Sequence, residues 1–269
     1  EKKRGGRLIV PSDIATVTIR DLQIRLHRAG KGQPVLFLHG AGGVSAWLPF
    51  FDALAADYAL IVPDHPGFGG SDDARWICHV PDLAMYYLDF FEAMGLEDVH
   101  VIGSSLGGWI AAEIAVRDAS RFRSLTLIAP AGLRVKGISS GDNFIWSPEE
   151  VLHNLFFDQA LAARMASLPL TEEQAEMALK NRFAATKYGW QPRWFNPDLA
   201  TWLHRVNVPV HLLWGDSDRL LPPAYAGAWR ERLPDLRFSL IEACGHLPHV
   251  EKAELVSGKI KAFLAGVPA

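Results

Sequence analysis

Cysteine is scarce: the 269 residues hold two, Cys78 and Cys244. That excludes a disulfide scaffold and any all-cysteine zinc site. There is no H-E-x-x-H and no paired Cys/His spacing, so neither a metal nor a cofactor is expected. The chain lacks an excess of either charge, with 27 basic against 30 acidic residues and a net charge of -3. A dedicated nucleic-acid binder needs a basic surface, so that class is set aside. No apolar run reaches the roughly 18 residues of a membrane span. Internal repeats, low-complexity tracts and flexible linkers are also missing. The opening Glu1–Arg7 is basic but leads into no long apolar region. It is therefore not expected to be a secretory leader, and the expected location is cytoplasmic. What is there is ordinary for a folded protein: 49% hydrophobic and 21% charged residues. A chain this long can bury a sizeable core without covalent staples.

Eight short apolar runs predict strands: 15–19, 22–26, 35–38, 59–62, 99–102, 125–128, 210–214 and 238–241. The first two alternate apolar with polar, as half-exposed antiparallel strands do. The later ones are nearly continuous, as in parallel strands covered on both faces. Helical stretches at 81–94 and 109–117 lie between them, which implies βαβ units. The rhythm stops between about Arg134 and Thr201. There Ser147-Pro148-Glu149-Glu150 and Thr171-Glu172-Glu173-Gln174 read as helix starts, and Gly189 as a helix end. The predicted organisation is an α/β core over 1–133 and 201–269, with a helical cap inserted over 134–200.

Gly103-Ser104-Ser105-Leu106-Gly107-Gly108 follows one predicted strand and precedes a helix, the context of a G-x-S-x-G elbow. Small residues permit a sharp turn that exposes the Ser105 hydroxyl, the candidate nucleophile. A tightly packed glycine-rich turn is the plainer alternative. A serine needs a base. Of ten histidines, His246 stands out in Cys244-Gly245-His246-Leu247-Pro248-His249, after the last strand. It is preferred to His249, because Gly245 frees the loop to aim its ring. The base needs an acid to fix its tautomer. Asp216 and Asp218 both follow the strand at 210–214, and either could instead be a turn former. His39-Gly40-Ala41-Gly42-Gly43 could supply a second oxyanion donor, the Ala41 N–H, beside the Leu106 N–H. His39 is read as a brace for that loop. A phosphate cradle is the weaker alternative, since neither G-x-G-x-x-G nor G-K-[ST] occurs.

These segments together resemble the α/β-hydrolase superfamily over nearly the whole chain. They are joined by Asp64-His65-Pro66-Gly67-Phe68-Gly69-Gly70-Ser71-Asp72 and by Gly215-Asp216-Ser217-Asp218. The resemblance implies a mostly parallel eight-stranded sheet flanked by helices, with the cap over Ser105. It selects Asp218, the last residue of G-x-x-D, as the acid, and makes Asp64–Asp72 a structural loop. Aromatics of the cap would line the pocket, with Trp190 and Trp194 as candidates there and Trp47 and Leu247 as candidates from the core. Cys244 is read as a packing residue.

The expected activity is metal-free serine hydrolysis of a small-molecule carboxylic ester with an apolar portion, by a monomer or homodimer. A C–C hydrolase for meta-cleavage products, a lactonase and a cofactor-free perhydrolase could use the same residues. A non-catalytic ligand-binding protein is the alternative of another class. The C–C hydrolases resemble this chain in triad order, but their elbow usually reads Gly-Asn-Ser-Met-Gly-Gly and Trp follows their histidine. Here Ser104, Leu106 and Leu247 occupy those positions. Arg193 and Lys187 are the candidate cap cations for a substrate carboxylate.

Overall fold

The computed structural model describes residues 2–4, 7–9 and 12–268. Glu1, Gly5 and Gly6 lie outside the described residues, and with them part of the segment expected not to be a leader. A small antiparallel pair, β1 (Lys2–Arg4) and β2 (Arg7–Ile9), precedes the main body. The sequence pattern did not anticipate it, because three-residue strands are too short to show a period.

The main sheet contains β3 (Asp13–Ile19), β4 (Leu22–Ala29), β5 (Pro34–Leu38), β6 (Ala59–Pro63), β7 (Val99–Ser104), β8 (Phe122–Ile128), β9 (Val210–Gly215) and β10 (Leu236–Ile241). Its order is β10-β9-β8-β7-β5-β6-β4-β3. β3, β4 and β6 pair antiparallel in succession, and every other pairing is parallel. The burial follows the sequence pattern. β4 alternates buried and more exposed positions, whereas β7 and β9 are buried throughout.

Helices cover both faces. α1 (Pro49–Ala55) packs against α10 (Ala253–Leu264) on one side, and α2 (Val80–Ala93) against α3 (Leu106–Arg117) on the other. Phe50, Phe51, Ile102, Leu213 and Ile260 belong to the first core layer, and Tyr87, Phe91, Val101, Ile110 and Leu212 to the second. Neighbouring residues of one strand thus enter opposite layers, as the pleat requires. After β5 the chain steps to β6 and then crosses back to β7 on the other side of β5. The loops after β5 and β7 therefore leave the sheet in opposite directions, the position at which open α/β sheets place their ligand sites.

Between β8 and β9 lie α4 (Pro148–Leu155), α5 (Gln159–Ser167), α6 (Glu172–Gly189) and α7 (Leu199–Trp202). α4 starts with a reciprocal capping box, Glu150 N–H to Ser147 Oγ at 3.2 Å and Ser147 N–H to Glu150 Oε2 at 2.7 Å. Thr171 and Gln174 repeat it for α6. The start of α5 carries a different signal, an Asp158 side chain that accepts from the Ala160 and Leu161 N–H groups. The two ends of the segment meet at Gly132, whose N–H donates to Trp194 O (2.9 Å) and whose carbonyl accepts from Asn196 N–H (3.0 Å). The segment is therefore closed at its base rather than strung on a linker. The remaining helices are α8 (Ala224–Arg230) and α9 (Pro248–Glu251). Among the described residues, no helix is long and apolar enough to cross a membrane.

Candidate active site

Ser105 stands between β7 and α3 with φ 52° and ψ -112°, a conformation that L side chains rarely adopt. Three backbone hydrogen bonds hold it there. Its N–H donates to Ile128 O (2.9 Å), and its carbonyl accepts from Trp109 N–H (3.0 Å) and Ala131 N–H (3.1 Å). The turn requires a glycine behind it: a Cβ on Gly107 would lie 2.0 Å from the Leu38 carbonyl oxygen. The small residues are therefore what lets α3 start close against β5.

Ser105 Oγ lies 2.9 Å from His246 Nε2, and His246 Nδ1 lies 2.7 Å from Asp218 Oδ2. In this pattern the Nδ1–H donates to the carboxylate, which leaves Nε2 free to accept from the serine hydroxyl. His246 is 1% exposed and Asp218 3%, so little solvent competes for either contact. Asp218 is itself fixed, because its Oδ1 accepts from the Leu220 and Leu221 N–H groups at 2.9 and 2.8 Å. Asp216, the other candidate, does something else. Its carboxylate accepts from Ala243 and Cys244 N–H and ties down the loop that leads to His246.

Gly40 lies against Ser105, and a Cβ placed on it would be 3.5 Å from the Ser105 Cβ. The next residue, Ala41, has no hydrogen-bond partner for its N–H among the described residues, and neither has Leu106 at the start of α3. Two backbone donors, on the residues that follow Gly40 and Ser105, are thus unspent. His39 braces this loop. Its Nδ1–H donates to Gly40 O (2.7 Å) and its Nε2 accepts from His65 N–H (3.0 Å). His65 in turn donates from Nε2 to His39 O and accepts Tyr87 OH at Nδ1. Burial holds the pKa of both rings below the ordinary histidine value, so they stay neutral. Asp64, fully buried, accepts from Arg25 Nε (2.6 Å) and Gly70 N–H (2.9 Å) and shapes the loop after β6.

His249 is not brought to Ser105. It packs against Phe37 and Phe50, and burial, then the nearby His246, pushes its pKa down to about 3. Cys244 is fully buried, and burial raises its thiol pKa, so it is not a poised nucleophile. Among the described residues, no group of three His, Cys, Asp or Glu side chains could hold a metal ion.

The expected pocket residues fall in different places. Trp47 turns to the α1 layer, with its ring 5.0 Å from Phe51 and its indole N–H on Asp52 Oδ1 (2.9 Å). Trp190 and Trp194 form one cluster with Phe144: Trp194 stacks on it at 5.0 Å, and Trp190 meets it edge-on at 5.5 Å. Leu247 is the residue before α9. The two cations considered for a substrate carboxylate, both in segment 134–200, are committed elsewhere. Arg193 grips both oxygens of Asp142 at 2.7 and 2.6 Å and lies over the Trp190 ring. Lys187 donates to Asp73 Oδ1 and Ala74 O, both at 2.7 Å.

Sequence reasoning missed two residues beside the site. Glu251 accepts from Gly245 N–H (2.7 Å) and from Asp158 N–H (2.5 Å), which joins the His246 loop to the start of α5. The His246 N–H also donates to Leu155 O at 2.7 Å. Asn181, 4% exposed inside α6, donates to Gly42 O (2.9 Å) and accepts from Gly69 N–H (2.8 Å). Its signal was available: asparagine is a poor residue for a helix interior.

Comparison with known proteins gives concordant results. The family profile described as the alpha/beta hydrolase fold matches residues 33–253. A dihydrolipoyllysine-residue acetyltransferase component of the acetoin cleaving system of Cupriavidus necator is 30% identical, over 91% of this chain and 67% of its own length. The 2-hydroxy-6-oxo-6-phenylhexa-2,4-dienoate hydrolase of Burkholderia cepacia is 26% identical, over 92% and 93%. The crystal structure of a bacterial membrane phospholipase A superposes with a TM-score of 0.79 and 28% identity, covering 95% of this chain and 86% of the other. The strand order, the strained serine at the β7–α3 turn and the profile match agree, and the chain belongs to the α/β-hydrolase fold family.

Proposed function

We propose that this chain is a serine hydrolase that cleaves carboxylic esters with an apolar portion through an acyl-enzyme. The observation that carries the proposal is the continuous line from Ser105 Oγ through His246 to Asp218, with spacings of 2.9 and 2.7 Å. In the first half-reaction Ser105 Oγ attacks the ester carbonyl carbon while its proton passes to His246 Nε2. Asp218 steadies the resulting imidazolium. The carbonyl oxygen becomes an oxyanion that accepts from the Ala41 and Leu106 N–H groups. The intermediate then collapses with cleavage of the C–O bond, and the alcohol leaves with the proton from His246. Water attacks the acyl-serine next and gives a proton to His246. The carboxylic acid departs and Ser105 regains its hydrogen. Segment 134–200 acts as a cap, with Trp190 and Trp194 on the apolar side of the pocket and Leu247 beside His246.

The same nucleophile could serve C–C hydrolysis of a meta-cleavage dienoate, the substrate type named for the Burkholderia cepacia relative. A dienoate carries a carboxylate that needs a cation. The two cap cations considered for it, Arg193 and Lys187, are already paired with Asp142 and Asp73. Ester hydrolysis makes no such demand, and the likeness to a phospholipase A structure agrees with it. The deciding experiment compares kcat/KM for p-nitrophenyl esters of short to medium chain length with that for a meta-cleavage dienone. The ester value should be at least about tenfold higher, a difference of about 1.4 kcal/mol in transition-state binding. A better rate with the dienone would transfer the chain to C–C hydrolysis.

A further inference from the structure

The loop Gly40–Gly43 offers one donor to the oxyanion, and its other polar groups show how that donor is aimed. A peptide unit is planar and trans, so fixing the direction of one C=O fixes the N–H on the opposite side of the same plane. The Gly40 carbonyl shares its plane with the Ala41 N–H. It accepts from His39 Nδ1–H at 2.7 Å and from Gly43 N–H at 3.1 Å. The Gly43 N–H shares its plane with the Gly42 carbonyl, and that carbonyl accepts from Asn181 Nδ2–H at 2.9 Å. A chain of hydrogen bonds therefore runs from α6 to the Ala41 N–H through two peptide planes. The far end of Asn181 is anchored as well, because its Oδ1 accepts from Gly69 N–H at 2.8 Å. The approach is close enough to require glycine at the contact. Gly43 has φ +74°, and a Cβ there would lie 2.4 Å from Asn181 Nδ2.

We propose that Asn181, a residue of the inserted helix α6, is the positioning residue that sets the direction of the Ala41 N–H toward the oxyanion. The inference rests on the acyl-enzyme reading above. Asn181 touches neither substrate nor Ser105; it acts through the 42–43 and 40–41 peptides. Its position on α6 makes the segment over the site part of the catalytic apparatus and not only its cover.

Purified wild type, Asn181→Ala, Asn181→Asp and Lys180→Met proteins test this. Asp keeps an acceptor for Gly69 N–H but presents an oxygen to the Gly42 carbonyl where the amide donor was. Lys180 donates to Gly69 O and Ser71 O at 2.8 Å each, so Lys180→Met loosens α6 by two bonds without touching residues 40–43. Three quantities are read: kcat and KM for p-nitrophenyl acetate, Ki for an aryl trifluoromethyl ketone that forms an anionic hemiketal on the nucleophile, and Tm. Loss of a whole oxyanion donor costs about 100- to 1,000-fold in kcat. Misdirecting one should lower kcat about 10- to 100-fold in both Asn181 variants, with KM within about twofold and Ki raised by the same factor as kcat falls. Lys180→Met should lower Tm but keep kcat and Ki. Asn181 variants with kcat within about threefold of wild type would overturn the proposal. So would a loss of kcat at unchanged Ki, an equal loss in Lys180→Met, or an Asn181→Asp protein that does not fold, since each leaves Asn181 a purely structural role. A fluorophosphonate that fails to label Ser105 in the wild type would instead overturn the acyl-enzyme reading itself.

Discussion

Two aspartates two residues apart do different work, and the difference lies in which atoms face them. Asp218 meets the His246 Nδ1, while Asp216 meets the backbone N–H groups of Ala243 and Cys244. Replacing Asp218 by Asn places an amide where Nδ1–H must donate, or forces the other tautomer, so kcat should fall by about 10,000-fold. Replacing Asp216 by Asn removes part of a loop clasp, and kcat should fall less than about tenfold, with a lower Tm. Steady-state kinetics on the two variants check this, and comparable kcat values would contradict the assignment. Ser105, His246 and the Asp pair were visible in the sequence because glycines punctuate the loops that carry them. Asn181 carries only a weak mark, an asparagine inside a helix, and Glu251 carries none; the partners of both are backbone groups, several of them far off in sequence, and such groups leave no residue signature. Trp47 likewise could be placed near the 39–43 loop by sequence but not turned toward or away from Ser105.

Elements were legible where a period or a cap marks them. The capping boxes at Ser147 and Thr171 announce α4 and α6, and the apolar runs announce the eight strands of the main sheet. The β1–β2 pair was too short to announce itself, and the N-cap of α5 was passed over. The segment 134–200 is tied to the core by Asn181 and Lys180 of α6, by the Trp194–Asn196 return and by the Leu155 and Asp158 bonds to the 245–251 stretch, and α4 has no fully buried residue. Its aromatic cluster is built on Phe144, with Trp190 51% exposed and Trp194 8%. If the cluster borders the acyl pocket, Trp190→Ala should shift chain-length preference across a p-nitrophenyl ester series and keep kcat for the acetate within about threefold. Trp194→Ala should do the same and also lose about 3–5 kcal/mol of stability, as expected for a buried aromatic. An unchanged preference in both would leave the cluster a packing role alone.

The whole molecule gathers its chemistry where the strand order reverses at β5, because the loops after β5 and β7 both leave the sheet there. The alternation of strand and helix predicted this sheet, but only the register places Leu38 beside Gly103 and so brings the two loops together. Burying polar rings inside such a body has a cost that pH exposes. Burial pushes the pKa of His100 and His211 down to about 4 and that of His249 to about 3. In the unfolded chain the same rings take up a proton near pH 6.5. Below that pH the unfolded state binds more protons, so stability falls as pH drops from about 6.5 toward 4, by up to about 1.4 kcal/mol per pH unit for each ring. Thermal unfolding followed by circular dichroism should show Tm at least about 5 °C lower at pH 5 than at pH 7. A Tm that is flat over this range would mean that these rings are not held neutral by burial.

The proposed nucleophile is tested directly by incubating the protein with a p-nitrophenyl ester, quenching in acid and mapping any adduct by peptide mass spectrometry. An acyl group on Ser105 is predicted, together with a burst of p-nitrophenol equal to the enzyme present. Ser105→Ala should show neither, and its turnover should be lower by about 10,000-fold or more. An adduct on another residue, or a Ser105→Ala protein that keeps more than a few per cent of the activity, would contradict a mechanism centred on Ser105.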